Sequence, residues 1–315
     1  MGAMAPTAAD DDRHDDDREA TDQFRCAFVT LVGRPNVGKS SLVNAICGAK
    51  VSIVSDKPQT TRRAIRGVAT LHDTQLVLVD LPGVQRPRDA LTERMQHRVE
   101  SEMAESDAAL FVVNAEQGIG PGDRFIAGAL RGAGVPVIVA VNKVDRLDRP
   151  HTLQVLSDAA ALDIGDEIFP VSARTGRGVE ALRAHLAGLM PESPFLFAAE
   201  DRSDQPLEVL MAELVREQVL RRTFQEVPHA VEVVIDEVQE REDGLTFVRA
   251  LVWVEAESQK GILIGAGGRM IKAVGTAARR ELERELGARV HLDLSVRVRR
   301  GWRGDEALLD RLGIE

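Results

Sequence analysis

The sequence predicts an α/β fold, a doubly wound sheet, followed by a smaller α+β domain. Three observations predict it. Between residues 26 and 190, continuous apolar runs alternate with amphipathic stretches, as expected of β–α crossovers feeding a parallel sheet. A glycine-rich loop, Gly33-Arg34-Pro35-Asn36-Val37-Gly38-Lys39-Ser40, follows the first of those runs. Beyond the Pro-rich stretch Met190-Pro191-Glu192-Ser193-Pro194, the order changes to helix, strand, strand, helix, helix, strand.

Composition bounds the answer before any motif does. A chain of 315 residues has length for two cores, and 44% hydrophobic with 29% charged residues reads as globular. No apolar run reaches 18 residues and no signal-peptide pattern is present, so a cytoplasmic protein is expected. Cys26 and Cys47 fall in the first strand and first helix and read as buried thiols without a metal pattern. The net charge of −10 argues against nucleic acid until its distribution is examined: residues 1–22 alone hold eight acidic and two basic side chains. That stretch is expected to be a disordered, solvated tail.

Cys26–Val32 reads as a buried strand and Ser41–Ile46 as the start of a helix. The loop between them fits G-x-x-x-x-G-K-[ST], the phosphate loop of nucleoside triphosphatases. Gly33, Arg34, Pro35, Asn36, Val37, Gly38, Lys39, Ser40 and Ser41 would line the nucleotide site, and the backbone N–H groups of this loop, which Pro35 lacks, would ring an anion at the helix N-terminus. Lys39 is expected to reach the β- and γ-phosphates and Ser40 to ligate Mg²⁺.

Pro58-Gln59-Thr60-Thr61-Arg62-Arg63 follows as a polar loop, where a GTPase carries its switch threonine. Thr61 is the candidate Mg²⁺ ligand, with Thr60 the alternative. The strand Gln75–Val79 runs into Asp80-Leu81-Pro82-Gly83. Asp80 at the strand end would hold the Mg²⁺ hydration shell, and Gly83 would offer its N–H to the γ-phosphate. Val84 stands where a water-orienting Gln is one known solution; a valine cannot hydrogen-bond water, so slow unaided hydrolysis is expected.

Ala108–Asn114 and Pro136–Val141 read as strands with a helix near Asp123–Arg131 between them. The second leads into Asn142-Lys143-Val144-Asp145. Ligands of such sheets bind outside the carboxyl ends of the strands. An Asp145 carboxylate accepts two hydrogen bonds from guanine N1–H and the exocyclic amine, donors that adenine lacks. Ile168–Val171 ends in Ser172-Ala173, whose backbone N–H groups are placed to meet guanine O6. Gly178–Met190 reads as the closing helix.

In the second domain, Leu207–Phe224 has helical spacing, and Val231–Val238 with Leu245–Val254 reads as a hairpin. Ile264-Gly265-Ala266-Gly267-Gly268-Arg269-Met270-Ile271-Lys272 then separates two helical stretches before a strand at Val290–Val298. Met270 breaks a dinucleotide fingerprint. G-x-x-G between two apolar helical segments, in this element order, is the RNA clamp of a type II KH domain. Gly265, Ala266, Gly267 and Gly268 would admit phosphates, with Arg269, Lys272, Arg299 and Arg300 as the cations. Residues 258–303 hold eleven basic and four acidic side chains inside an acidic protein. Trp253 and Trp302 are large enough to stack bases, though Trp253 on a strand reads as core.

These motifs stand in the order and spacing of a translation-factor-class GTPase. Gly33–Ser40 with Thr60-Thr61-Arg62 resembles the Era and tRNA-modification branch, which carries a hydrophobic residue at the position of Val84. With the KH pattern and Arg300-Gly301-Trp302, the resemblance to the Era family covers residues 24–315. It implies a P-loop GTPase domain at 23–190, a linker at 191–204, a KH domain at 205–303 and a tail at 304–315. It further implies a monomeric GTP-hydrolysing switch that binds the 3′ end of 16S rRNA and acts in assembly of the small (30S) ribosomal subunit. Lys39, Thr61, Gly83 and Asn36 would serve hydrolysis, with Mg²⁺ and, as in some members, K⁺ held by Asn36. Some members also associate with the inner face of the cell membrane; no amphipathic anchor is evident here. Leu81 departs from the family's usual Thr but leaves Asp80 and Gly83 in place. A rival reading is a GTP-gated RNA-binding module in which hydrolysis only resets the state. An RNA-modifying enzyme is disfavoured, because the C-terminal Cys of that branch is missing.

Overall fold

The computed structural model describes residues 24–57, 59–84, 89–132, 134–165, 167–224 and 227–314. The acidic stretch 1–22 lies outside them. The first half is a six-stranded sheet of β1 (Arg25–Val32), β2 (Ile65–Leu71), β3 (Thr74–Asp80), β4 (Ala108–Asn114), β5 (Val137–Asn142) and β6 (Ile168–Pro170). Its order is β2-β3-β1-β4-β5-β6. Five strands run parallel; β2 pairs antiparallel with β3, so the sheet is mixed rather than wholly parallel as expected. The polar span 51–70 hid β2, because an edge strand carrying Arg66 and Gly67 lacks an apolar run. Gly67 is needed there: a Cβ would lie 2.8 Å from Cys47 Sγ and 2.9 Å from Val43.

Five helices cover the two faces: α1 (Lys39–Cys47), α2 (Ala90–Ala104), α3 (Pro121–Leu130), α4 (Arg149–Ala160) and α5 (Val179–Gly188). Apolar side chains of β1 and β4 alternate between two cores, one with α1 and α5, the other with α3 and α4, while β3 packs Leu76 and Leu78 into the first and Val79 against Val99 of α2. The chain leaves β1 for β3 on one side and reaches β4 on the other. The loop after β1 therefore opens at the topological switch point, where α/β sheets bind ligands.

The second half contains α6 (Leu207–Leu220), α7 (Val227–Ala230), β7 (Glu232–Glu240), β8 (Leu245–Val254), α8 (Glu257–Ile264), α9 (Arg269–Leu286), β9 (Arg289–Val298) and α10 (Glu306–Arg311). β8 is central, antiparallel to β7 and parallel to β9. Alternate residues of β8, Val248, Ala250, Val252 and Val254, face α6 and α9 in one apolar core.

Two expected connectors prove to be fixed. The 191–204 stretch is strapped along the sheet edge: Val68 N donates to Arg202 O at 2.9 Å, and the buried Gln75 side chain takes hydrogen bonds from the N–H groups of Leu196 and Phe197 at 2.9 and 3.0 Å. The last residues form α10 rather than a tail. Leu308, Leu309 and Ile314 pack with Trp302 against Leu91 and Met95 of α2. Trp302 is fully buried, and its Nε1 donates to Ala230 O at 2.9 Å, so it is a wedge between the halves and not a base-stacking platform.

Candidate nucleotide and RNA sites

The phosphate loop has the backbone that anion binding requires. Gly38 sits at φ +101° at the N-terminus of α1, and a Cβ there would lie 2.4 Å from Asn142 Nδ2. Lys39 is buried, and its Nζ donates to the carbonyls of Gly33 and Arg34 at 3.0 and 3.2 Å. Burial pulls its pKa down to about 8, with Asp80 pulling the other way. The Arg34 side chain turns from the loop to Asp123, at 2.9 Å, leaving only its backbone for phosphate.

Ser40, Thr61 and Asp80 converge as expected. Ser40 Oγ and Thr61 Oγ1 are 3.0 Å apart, and Thr61 Oγ1 lies 3.5 Å from Asp80 Oδ2. Thr60 Oγ1 points away from this group and donates to Lys57 O at 2.6 Å. Asp80 is fully buried, and its Oδ1 has no hydrogen-bond partner among the described residues. Desolvation raises its pKa. Two hydroxyls and an unpartnered buried carboxylate oxygen are a hard oxygen set that suits Mg²⁺. Gly83 closes the site from above: a Cβ would lie 2.5 Å from Pro35 N, so only glycine brings this turn against the phosphate loop.

On the other flank, Asn142 ties the base pocket to the phosphate loop. Its Nδ2 donates to Val37 O at 3.1 Å, and its Oδ1 accepts from Lys143 N and Ala173 N at 2.8 and 3.1 Å. Lys143, at φ +68°, sends its Nζ to Asn36 O at 2.7 Å. Asp145 accepts from Ser172 Oγ at 2.6 Å and pairs with Arg174; the Ser172 bond and this guanidinium keep its carboxyl below the usual range. These residues line a pocket of about 770 Å³. One expectation needs correcting. The Ser172 N–H donates to Arg177 O and the Ala173 N–H to Asn142, so both donors assigned to guanine O6 are engaged within the protein. Arg174 was not foreseen; a lone exposed arginine gives no pattern in the sequence.

The KH half presents the glycine turn openly. Gly265, Gly267 and Gly268 sit at φ +70°, +60° and +76°, and a Cβ at Gly267 or Gly268 would meet nothing within 4 Å. Arg269 folds its Nε onto Ala266 O at 3.2 Å. Beside the turn, Ile271, Lys272, Gly275 and Arg279 of α9 face Leu292 and Leu294 of β9 across a groove of about 390 Å³. The structure does not bring Arg299 to this groove. Its guanidinium stands 4.6 Å from the ring of Trp253, which alternates onto the sheet face opposite α9. Arg300 is exposed just beyond β9. Arg303 pairs with Asp89 beside α2, so it too serves the junction of the halves.

Comparison with known proteins agrees with this geometry. The 50S ribosome-binding GTPase family matches residues 28–143, and the KH domain family matches 226–303. GTPase Era of Mycobacterium tuberculosis is 45% identical over 297 residues, covering 92% of this chain and 99% of that protein. The chain belongs to the Era family. GTPase Era of Lactobacillus helveticus is 41% identical over 293 residues, covering 93% of this chain and 97% of its own. Two Era crystal structures superpose over 92% of this chain and 99% of theirs at 33% identity. One is an Aquifex aeolicus variant bound to GDP·AlF4⁻, with a TM-score of 0.88. The other is a complex with MgGDPNP and nucleotides 1506–1542 of 16S ribosomal RNA, with a TM-score of 0.89. As an Era GTPase, this chain hydrolyses GTP. Among the described residues no helix is long and apolar enough to cross a membrane.

Proposed function

We propose that this Era GTPase is a switch that grips the 3′ end of 16S rRNA with its KH groove and acts in maturation of the small ribosomal subunit. The observation that carries the RNA half is the open left-handed glycine turn at the mouth of a groove with Lys272 and Arg279 on one wall and Leu292 and Leu294 on the other. Phosphates approach closest where no side chain stands, while the groove takes unstacked bases. The related complex with 16S rRNA supports the choice of ligand.

In this reading Ser40, Thr61 and Asp80 would hold Mg²⁺, which would supply positive charge against the phosphates. Lys39 and the N–H of Gly83 would stabilise charge that develops on the γ-phosphate. Val84 activates no water, so turnover is slow until RNA or the subunit is engaged. Asn36, at φ +63° in the phosphate loop, is the candidate K⁺ ligand. Replacing K⁺ by Na⁺ should then slow hydrolysis, and equal rates in the two salts would remove that role. The chain acts as a monomer in the cytoplasm, with peripheral attachment at the inner membrane face a separate property to be measured by co-sedimentation with vesicles.

The deciding experiment crosslinks the full-length protein to cellular RNA with and without a non-hydrolysable GTP analogue and maps the sites. Enrichment at the 3′ end of 16S rRNA that depends on the analogue is expected. Gly267→Asp is the control, because Asp tolerates a left-handed backbone better than most residues. It should keep GTP binding and lose RNA by about tenfold or more through charge repulsion. Turnover that stays flat when RNA is added would favour the rival module in which hydrolysis only resets the state.

A further inference from the structure

The segment 50–63 that carries Thr61 is held in place from the KH half. Arg216 of α6 donates through Nη2 to the carbonyl of Thr60, the residue before the switch threonine. Glu213 braces that guanidinium, at 3.0 Å from Nε and 2.6 Å from Nη2. Glu217 Oε1 accepts from Val54 N at 2.8 Å and from Lys50 Nζ at 2.7 Å. Arg62, on the other side of Thr61, donates to Glu232 Oε2 at 2.7 Å and to Val231 O at 2.6 Å. Arg63 reaches Glu213 at 2.9 Å. Glu213, Arg216, Glu217, Glu232 and Arg62 are all buried.

From these contacts we propose that Arg216, Glu217 and Glu232 are positioning residues for GTP hydrolysis, acting through Thr61. The inference rests on the reading of Thr61 as the Mg²⁺ and γ-phosphate switch residue. A joint that served only cohesion would gain from well-packed apolar residues, since burying ion pairs costs desolvation. Here two of the buried charges are directed at the backbone of one short segment, Arg216 at the Thr60 carbonyl and Glu217 at the Val54 N–H. Burial opposes ionisation of Glu232, yet Arg63, Arg62 and Arg216 together hold its carboxyl well below the usual range. The consequence is that the RNA-binding half sets the catalytic register of the GTPase half, residue by residue.

The test uses full-length Arg216→Met and Glu217→Gln, with Thr61→Ala and the Thr61→Ala/Arg216→Met double variant. GDP contacts the phosphate loop without needing Thr61, so GDP affinity and the melting temperature with GDP bound report folding. Displacement of a reacting group by about 1 Å costs up to 100-fold in rate. We expect Arg216→Met to lower kcat between about 10- and 100-fold, to raise the Mg²⁺ concentration for half-maximal turnover, and to leave GDP affinity unchanged. Glu217→Gln keeps an acceptor for Val54 N and should show a smaller shift of the same kind; it carries the test if Arg216→Met does not fold. Non-additivity in the double variant is the signature that Arg216 works through Thr61. Unchanged kcat in both α6 variants, or loss of GDP affinity in step with kcat, overturns the proposal. If Thr61→Ala itself hydrolyses GTP normally, the switch assignment fails instead, and the two failures are told apart.

Discussion

Asp145→Asn is expected to cut the preference for GTP by roughly 10⁴, the discrimination reached when a buried polar group loses its matched partner. The carboxylate accepts from Ser172 Oγ at 2.6 Å and has an arginine beside it, so it is ionised throughout the neutral range. In the proposed complex guanine N1–H and its amine would replace Arg174 at those oxygens. An amide presents one donor and one acceptor, which fits the carbonyl that xanthine carries at C2. Xanthosine triphosphate should therefore bind the variant better than GTP does. Competition of the two nucleotides, measured by calorimetry in magnesium buffer, reads this directly. Unchanged specificity would remove the base-recognition role of the Asn142–Asp145 turn.

Lys39→Ala is expected to lower kcat by about 10²–10³, the usual cost of removing one preorganised donor to developing charge. The fold should survive, because the ammonium's bonds in this structure are to two loop carbonyls of its own loop. The wild-type protein adds a pH signature. Burial sets the Lys39 pKa near 8 in the free protein, against 10.5 in an exposed chain. Between those values the unfolded chain binds more protons, so folding stability rises with pH in that window. GTP binding behaves oppositely: phosphates favour the ammonium, so affinity falls as pH passes 8 and the amine must regain its proton. Titrating GTP affinity from pH 7 to 8.5, below the ionisation of guanine N1–H, should show the fall in the wild type and a flat response in Lys39→Ala.

The parts of this protein that could be read from sequence are those whose chemistry is local. Gly38 at φ +101° and Gly267 at φ +60° are dictated by the turns they make, and the motif spacing exposes them. The bounds of β8 at Leu245–Val254 and the end of α9 at Leu286 follow from alternation and from Gly287. What was hidden depends on partners distant in the chain. α6 shows helical spacing of its apolar residues, but its charged residues Arg216 and Glu217 are covered by Thr60, Val54 and Lys50, which are far away in the chain. Every residue from Met211 to Leu220 is buried. α2 is rich in charge, and its signals are weak singly: an Asp89–Thr92 capping box and Leu91, Met95 and Val99 along one face. Arg299 reads as an RNA contact because its partner, Trp253, is not near in sequence. The guanine O6 donors failed for a related reason, since Asn142 takes the Ala173 N–H from across the sheet ends.

The apolar wedge between the halves has a practical corollary. The chain has two tryptophans and no tyrosine, and both indoles, Trp253 and Trp302, belong to that wedge. The Arg62 guanidinium lies 5.3 Å from the Trp302 ring. Tryptophan emission therefore originates wholly at this seam, beside the segment that carries Thr61. Unlabelled protein mixed with successive nucleotides in a stopped-flow fluorimeter becomes its own gauge of whether the seam moves and how fast.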